Sequence, residues 1–448
     1  MSVRSFINVL EKYGLVRRVL NELSINYEIA KVVELLDKSK YTLIFKKLRS
    51  YDDYVGFANV VNTREKLYLA LNVKSDEELY VRLLKAEEEI PKCKVELTSN
   101  VSFKALNDVD LTRLPIAKYY EYEPRNYLTS AVVIGLDLEE NFLNMSIHRL
   151  SIIDKDKFVI RLVPRHLYNI YMKNKKLDKD TPIAIVWGLH PAILIAASSS
   201  PPYGYSELNM ANILMNYSLK FYELSNGIYV PAEAEIVMEG YISKDLEFEE
   251  GPFVDILGMY DEVRRQPVVK VTKIYLNTEK PIHAHYLVPA LSEHKVLMSI
   301  EKEAKIWKFV SNVVPKVKAV RLTSGSGSWL HAVIAIRKYT DGDAKNAILA
   351  AFTAHPSLKH VVIVDDDVDP DNLEEVEWAI ATRFRGDEDL VIIKYVRGST
   401  LDPSAIDQNT GLTVKIGIDA TKPLSKDIKK FEKAKIPGRI DIEDLKIE

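Results

Sequence analysis

Only one cysteine, Cys93, occurs among the 448 residues. An internal disulfide and a cysteine-built zinc centre are therefore excluded, as suits a reducing cytoplasm. A long apolar run is also lacking. The most apolar stretch, Ile183 to Ala197, is interrupted by His190 and Pro191 and is shorter than the roughly 20 residues a membrane helix needs. The opening MSVRSFINVLEKYGLVRRVL reads as an amphipathic helix with Phe6, Leu10 and Leu15 on one side. Glu11 denies it the unbroken apolar centre of a signal peptide. Charge of one sign is not in excess either. With 61 basic and 64 acidic residues the net charge is −3, which gives no reason to expect nucleic acid or an acidic membrane as partner. There is no H-E-x-x-H zinc motif and no G-x-S-x-G nucleophile elbow. S-G-S-G-S at 324–328 lacks the spacing of nucleotide-binding loops. What remains is a soluble, cytoplasmic, globular chain without a membrane span.

At 448 residues the chain exceeds one compact core, so several domains are expected. Residues 1–104 read as an α/β domain, with strands at YTLIFKKL (41–48) and KLYLALNV (66–73) and a helix at 76–90 that Pro91 ends. Residues 105–298 change to many strands separated by turns, including 128–138, 157–164, 181–189, 234–242 and 268–276. Helices are expected near 165–175 and near 206–224, the second capped by Ser206. Many strands and few helices suggest a β-rich barrel. A connecting helix is expected over 299–314. Residues 315–448 return to α/β alternation, and the tail after Pro423 is expected to fray.

Three clusters carry chemistry. N-M-S-I-H-R (144–149) and R-L-V-P-R-H (161–166) gather Asn144, His148, Arg149, Arg161, Arg165 and His166. Cationic and amide groups at such density can bind phosphate, and Asn and His can coordinate a metal; the plain alternative is a solvated turn. A-A-S-S-S-P-P-Y-G-Y-S-E (196–207) describes an irregular loop that lets backbone approach a ligand. It ends on Glu207 in the first turn of a helix, where a carboxylate also serves as a simple cap. E-E-G-P-F-V-D (249–255) sets Glu250 and Asp255 on either side of a bend. Paired carboxylates near an arginine make a proton-transfer site, although acidic residues also flank ordinary surface turns. D-D-D-V-D-P-D (365–371) imitates a metal-binding run but sits where Asp caps are common. His283 and His285 share a strand face with no third ligand in view.

In order and spacing these clusters resemble the UbiD family of decarboxylases, from about residue 105 to 422. The landmarks are N-M-S-I-H-R, P-R-H (164–166), S-S-S-P-P-Y-G-Y-S-E, V-P-A-E-A-E-I-V-M-E-G (230–240), E-G-P-F-V-D and K-I-G-I-D-A-T (415–421). The resemblance implies a central split β-barrel that binds prenylated FMN, flanked by N- and C-terminal α/β domains, the last one making a homodimer or larger assembly. It implies that Asn144, Glu207 and, in some members, His166 hold a divalent ion, Mn2+ or Mg2+, at the cofactor phosphate. Ile147, His148, Arg149, Arg161, Leu162, Val163 and Arg165 match the segments that line the flavin, and Lys415 matches a lysine that approaches the phosphate. Carbonyls of 196–199 match a K+ site. Arg149, Glu250 and Asp255 match the catalytic network, with a flavin prenyltransferase supplying the cofactor. The chemistry requires such a cofactor, because loss of CO2 from an sp² carbon leaves a carbanion that no side chain can delocalise.

Within the family, E-G-P-F-V-D-I, E-H-K-V-L-M (293–298) and G-S-G-S-W-L-H ending at His331 are most similar to an archaeal branch. Its members act on trans-anhydromevalonate 5-phosphate in isoprenoid biosynthesis, and His148 would be a partner for that substrate's phosphate. The rival substrate is 4-hydroxy-3-polyprenylbenzoate or another aromatic acid. A relative that binds flavin without turnover is the reading from a different class.

Overall fold

The computed structural model describes residues 2–434, 436 and 437; the end of the tail expected to fray, from 438 on, lies outside them. The chain is a multidomain α/β protein. At its N-terminus the amphipathic helix is shorter than the sequence pattern suggests. It spans Val3–Lys12 and buries Val3, Phe6, Ile7 and Leu10. Gly14 then turns the chain at φ +69° and strand Val16–Leu23 follows. That strand pairs in parallel with Thr42–Leu48, which pairs antiparallel with Tyr54–Ala58. The fourth strand of this sheet comes from far along the sequence: Ile282–His285, carrying His283 and His285, lies parallel to Tyr54–Ala58.

The expected strand at 66–73 is instead the helix Arg64–Leu71. Leu67, Leu69 and Leu71 alternate like a strand, but Leu67 and Leu71 are the buried pair, one helical turn apart. The expected helix at 206–224 is also cut short. It runs only from Glu207 to Leu214, then Asn216 and Tyr217 take positive φ and Lys220–Glu223 is a strand.

The centre is a nine-stranded sheet whose pairings are all antiparallel. Its spine is the long pair Ile236–Glu250 and Arg264–Asn277. The first of these strands is buried through Ser243, exposed over 245–249, and buried again at Glu250. That return delivers Glu250 to the interior at the strand's far end, opposite Arg264. The apolar stretch 183–197 divides into the central strand Thr181–Trp187 and the buried helix Pro191–Ser198.

The C-terminal sheet is mixed, in the order Lys316–Leu322, His331–Arg337, His360–Asp365, Leu412–Ala420, Leu390–Arg397. Strand alternation feeds its two faces. Ile334 and Ile336 pack with Ile348 of helix Asp343–Ala354, while Val333 and Ala335 pack with Val376 of helix Leu373–Arg383. The 365–371 acids bind their own side of this domain: Asp365 and Asp367 pair with the buried Arg383. Helix Ser292–Ser311 connects the parts. Its buried Glu303 accepts from Arg64 (2.5 Å), Tyr80 (3.0 Å) and the Leu322 amide (2.9 Å), joining N-terminal helices to the C-terminal sheet.

Candidate active site

Arg149 sits in the short link between strands Phe142–Ile147 and Leu150–Asp154. It reaches across 101 residues of sequence to meet Glu250 in a two-pronged pair, Nε to Oε1 at 2.7 Å and Nη2 to Oε2 at 2.6 Å. The Glu250 side chain is fully buried. Planar guanidinium and carboxylate match each other in this geometry, which is the strongest form such a pair takes. Tyr127 donates to Glu250 Oε1 at 3.4 Å and accepts the Gly251 amide at 3.2 Å. Gly251 takes φ +95° with the Glu262 carbonyl 3.0 Å from where a Cβ would stand, so the bend after Glu250 belongs to glycine. The guanidinium lies 4.5 Å above the Phe253 ring. Desolvation works against its charge, yet Glu250 and Asp261 outweigh that cost and hold Arg149 charged. Its Nη1 makes no hydrogen bond among the described residues.

The third member of this cluster is not the expected one. Asp255 makes no hydrogen bond to Arg149 or Glu250. Its Oδ1 accepts from the amides of Leu257 (2.8 Å) and Met259 (3.2 Å), so the carboxylate organises its own turn. Asp261 takes the contact, its Oδ2 3.1 Å from Arg149 Nη2, 4.0 Å from Arg161 Nε and with Arg264 on its other oxygen. The sequence signal for it was slight: D-E-V-R, which sets Asp261 three residues before Arg264. The two acids differ in ionisation. Burial first, then the charge of Asp261, pushes the Asp255 carboxyl up, against its turn amides. Asp261 is held below the usual carboxylate range because Arg264 and Arg149 outweigh its desolvation.

A second carboxylate, Glu207, opens helix Glu207–Leu214 and is 2% exposed. Asn144 Nδ2 donates to both its oxygens (3.0 and 2.9 Å), the Met145 amide donates at 2.8 Å, and His166 Nδ1 lies 3.6 Å away. The structure thus gathers Asn144, His166 and Glu207. Desolvation raises the Glu207 carboxyl, and no Lys or Arg among the described residues pairs with it. An amide, an imidazole and a buried carboxylate short of positive charge fit a divalent cation of intermediate hardness. The carbonyls of 196–199 lie at the C-terminal end of helix Pro191–Ser198, the end that favours a cation.

His148 stands between the two centres. Its Nδ1 contacts the Arg161 carbonyl at 3.0 Å and its Nε2 contacts Ser146 Oγ at 2.9 Å. Desolvation pushes the imidazole down to about 4. A neutral ring with both nitrogens engaged has nothing to offer a phosphate, so the expected substrate-phosphate role for His148 is withdrawn. Ile147 ends its strand, Leu162 is buried with its amide on Gln266 Oε1 (2.8 Å), and Val163 is exposed.

Anion-binding groups collect on the next side. Arg165 precedes helix His166–Lys176 and forms no ion pair among the described residues; desolvation lowers it, and Glu301 is the charge that opposes this. Lys415 is buried with its ammonium on the Pro356 carbonyl at 2.6 Å, and desolvation brings it down to about 8. Lys302 on the connecting helix pairs with Glu301 at 2.7 Å and feels Arg165. His355, pushed down to about 3 by burial first and then by Lys302 and Lys415, is a neutral ring beside these cations. An anion such as a phosphate fits a group of cations whose carboxylate partners are too few. Lys302 and His355 escape a sequence reading, since nothing local marks them.

The chain thus combines a multidomain α/β fold with a buried guanidinium–carboxylate centre, a buried carboxylate with no Lys or Arg partner among the described residues, and a group of neighbouring cations. It belongs to the UbiD family. The family's models, described as 3-octaprenyl-4-hydroxybenzoate carboxy-lyase N-terminal, Rift-related and C-terminal domains, match residues 7–86, 90–290 and 295–420. The chain is 44% identical to the anhydromevalonate phosphate decarboxylase of Aeropyrum pernix over 98% of its own length and 96% of the relative's. Among solved structures it is similar to the UbiD-class enzyme HmfF from Pelotomaculum thermopropionicum in complex with FMN, with TM-score 0.92, 34% identity and coverage of 100% and 99%. An evolved dimeric form of HmfF in complex with prFMN gives TM-score 0.90 at 32% identity, covering 99% of each chain. This chain is accordingly a decarboxylase of that family. No helix among the described residues is long and apolar enough to cross a membrane.

Proposed function

We propose that the chain removes CO2 from trans-anhydromevalonate 5-phosphate, using prenylated FMN held in the central antiparallel sheet read as a split barrel. The observation that carries this reading is the Arg149–Glu250 pair. Glu250 fixes the guanidinium plane through Nε and Nη2 and leaves Nη1 without a partner among the described residues, which suits it to orient a substrate carboxylate. Identity to archaeal relatives that carry the corresponding name supports the choice of substrate.

Arg165, Lys415 and Arg161 would hold the cofactor phosphate, and Asn144, His166 and Glu207 a Mn2+ or Mg2+ ion beside it, with K+ at the 196–199 carbonyls. Bound prenylated FMN supplies the electron sink that the departing CO2 requires. The chain's own residues do the rest. Arg149 orients the carboxylate, and the Phe253 ring shields that contact from water. Asp255, tilted towards its protonated form by burial, delivers the proton that takes the place of CO2. Asp261 stays ionised and steadies Arg149. The exposed Leu390, Ile392 and Tyr395 on the C-terminal edge strand support assembly into a homodimer or larger oligomer.

The test is CO2 release from protein co-expressed with a flavin prenyltransferase, offered anhydromevalonate phosphate beside 4-hydroxybenzoates. Preferred turnover of the phosphorylated aliphatic acid is expected. Turnover of the aromatic acids alone would overturn the substrate, and no turnover of any acid would leave a flavin-binding relative.

A further inference from the structure

Beside the Arg149 centre lies another buried carboxyl that no step above uses. Glu123 is 1% exposed and has no ion pair among the described residues. Its Oε2 accepts from the amides of Tyr119 (2.9 Å) and Tyr120 (3.1 Å), whereas its Oε1 is buried without any hydrogen-bond partner. An ionised oxygen left in that condition is costly, and a protonated one much less so.

The turn that carries Glu123 is fastened to the site on both sides. Arg125 donates to the Glu249 carbonyl (2.7 Å) and to Ser151 Oγ (3.2 Å). The Tyr122 amide donates to the Tyr260 hydroxyl (3.2 Å), with the two rings 5.2 Å apart. Glu249 and Tyr260 immediately precede Glu250 and Asp261, the two acids that hold Arg149. The charged groups facing Glu123 are Lys118 and Arg149, and the titratable ones are the Tyr119 and Tyr120 phenols. Tyr119 is occupied by Thr129 (3.0 Å) and Tyr120 donates to the Pro289 carbonyl (2.7 Å). Desolvation pushes the Glu123 carboxyl up to about 7, against the two amides and the two cations.

We propose that Glu123 is a proton-holding positioning residue, whose protonated state keeps the Arg149 centre attractive to the substrate's carboxylate. Arg149 is one of the charges that bear on Glu123, so an ionised Glu123 lowers the positive potential that this guanidinium offers an anion. Substrate binding, rather than the chemical step, therefore weakens as Glu123 loses its proton. This rests on the decarboxylase reading only for the identity of the anion.

The experiment pairs kinetics with a direct view of the proton. With holoenzyme and anhydromevalonate phosphate, KM of the wild type should rise by up to about tenfold per pH unit above pH ~7 while kcat stays level. In Glu123→Gln, which keeps an oxygen for the Tyr119 and Tyr120 amides, that rise should be absent. Infrared difference spectra of the wild type against Glu123→Gln should show a protonated carboxyl band that disappears across the same pH range, with or without turnover. If the Gln variant does not fold, Glu123→Asp takes its place and should move the midpoint of the KM rise. A KM profile identical in wild type and variant, or no protonated carboxyl band at pH 6, overturns the proposal. Absence of turnover at every pH with the band present counts against the decarboxylase reading and leaves the Glu123 proton established.

Discussion

Two buried glutamates, Glu250 and Glu207, lie in the same central domain at 0% and 2% exposure, and the fold treats them in opposite ways. Glu250 receives a guanidinium in a two-pronged pair and a tyrosine hydroxyl. Glu207 receives an amide, a backbone N–H and an imidazole, none of which is a permanent cation. Burial of a carboxylate without opposite charge costs several kcal/mol, by order of magnitude. The first site is thus electrostatically complete within the polypeptide, and the second has no Lys or Arg partner among the described residues. In the proposed function this contrast separates the residues that act on substrate from those that hold a cation.

The largest effect should come from opening the completed site. Arg149→Ala is expected to lower CO2 release by about 10²–10³-fold or more, and Asp255→Asn to stop proton delivery to a similar degree. Circular dichroism and flavin absorbance should show both variants folded and loaded. Full activity in both would remove the mechanism. Arg149→Ala should also destabilise the protein by about 3–5 kcal/mol, because Glu250 is left alone.

Completing the other site from outside is the next test. Wild-type protein should bind Mn2+ and gain about 2.7 kcal/mol of stability at a hundredfold excess over Kd. Glu207→Gln should lose that gain and at least about 100-fold in affinity by calorimetric titration. Equal Mn2+ binding by the variant would make Glu207 an ordinary helix cap and dissolve the contrast.

Arg149 and Glu250 stood out in the sequence as members of compact clusters, an arginine after an amide–histidine strand end and a carboxylate before a Gly-Pro bend, but local chemistry left a solvated turn equally open, and only the family resemblance grouped them. The grouping of Asn144, His166 and Glu207 also came from the resemblance. Asp261 was not legible, since its role depends on a turn folding back so that the Asp261 amide reaches the Phe253 carbonyl at 2.8 Å. The surroundings of Asp255 were hidden for the same reason, its Oδ1 being taken by amides that only the folded turn presents. In the fold, alternating Leu67, Leu69 and Leu71 imitated a strand until neighbouring elements chose the helical pair. The parallel strand Ile282–His285 joined a sheet more than 200 residues earlier, a pairing with no local signature.

Glu123 sharpens the comparison by a third solution, a proton in place of the guanidinium at Glu250 or the cation proposed at Glu207. Its folded value of about 7 lies above a carboxyl's ordinary 4.5. The native state therefore binds this proton more tightly than the unfolded chain does. The resulting stability is fully present below pH 4.5 and is lost as pH rises through about 7, for a total of about 3 kcal/mol at most. Denaturant titrations between pH 4 and 8 should show this decline in the wild type and a flatter profile in Glu123→Gln. Parallel profiles would mean that Glu123 is ionised throughout.

The smallest effect concerns how the completed site is held from behind. Asp255 and Asp261 ride on one turn, and the S-G-S-G-S loop of the C-terminal domain presses on it. Gly327, at φ +70°, stands where a Cβ would lie 2.6 Å from Leu257 Cδ2 and 3.0 Å from the Ile256 carbonyl. Gly327→Ala must both strain a left-handed backbone, at about 1–2 kcal/mol, and push the turn that carries both acids. Leu257 can yield because it is a side-chain end, but the Ile256 carbonyl is backbone and moves Asp255 with it. Turnover should therefore fall several-fold while Mn2+ affinity stays unchanged, because Glu207 stands on a different helix. A fall in metal affinity equal to the fall in turnover would show that the two sites share one support, and that the division between them is chemical only.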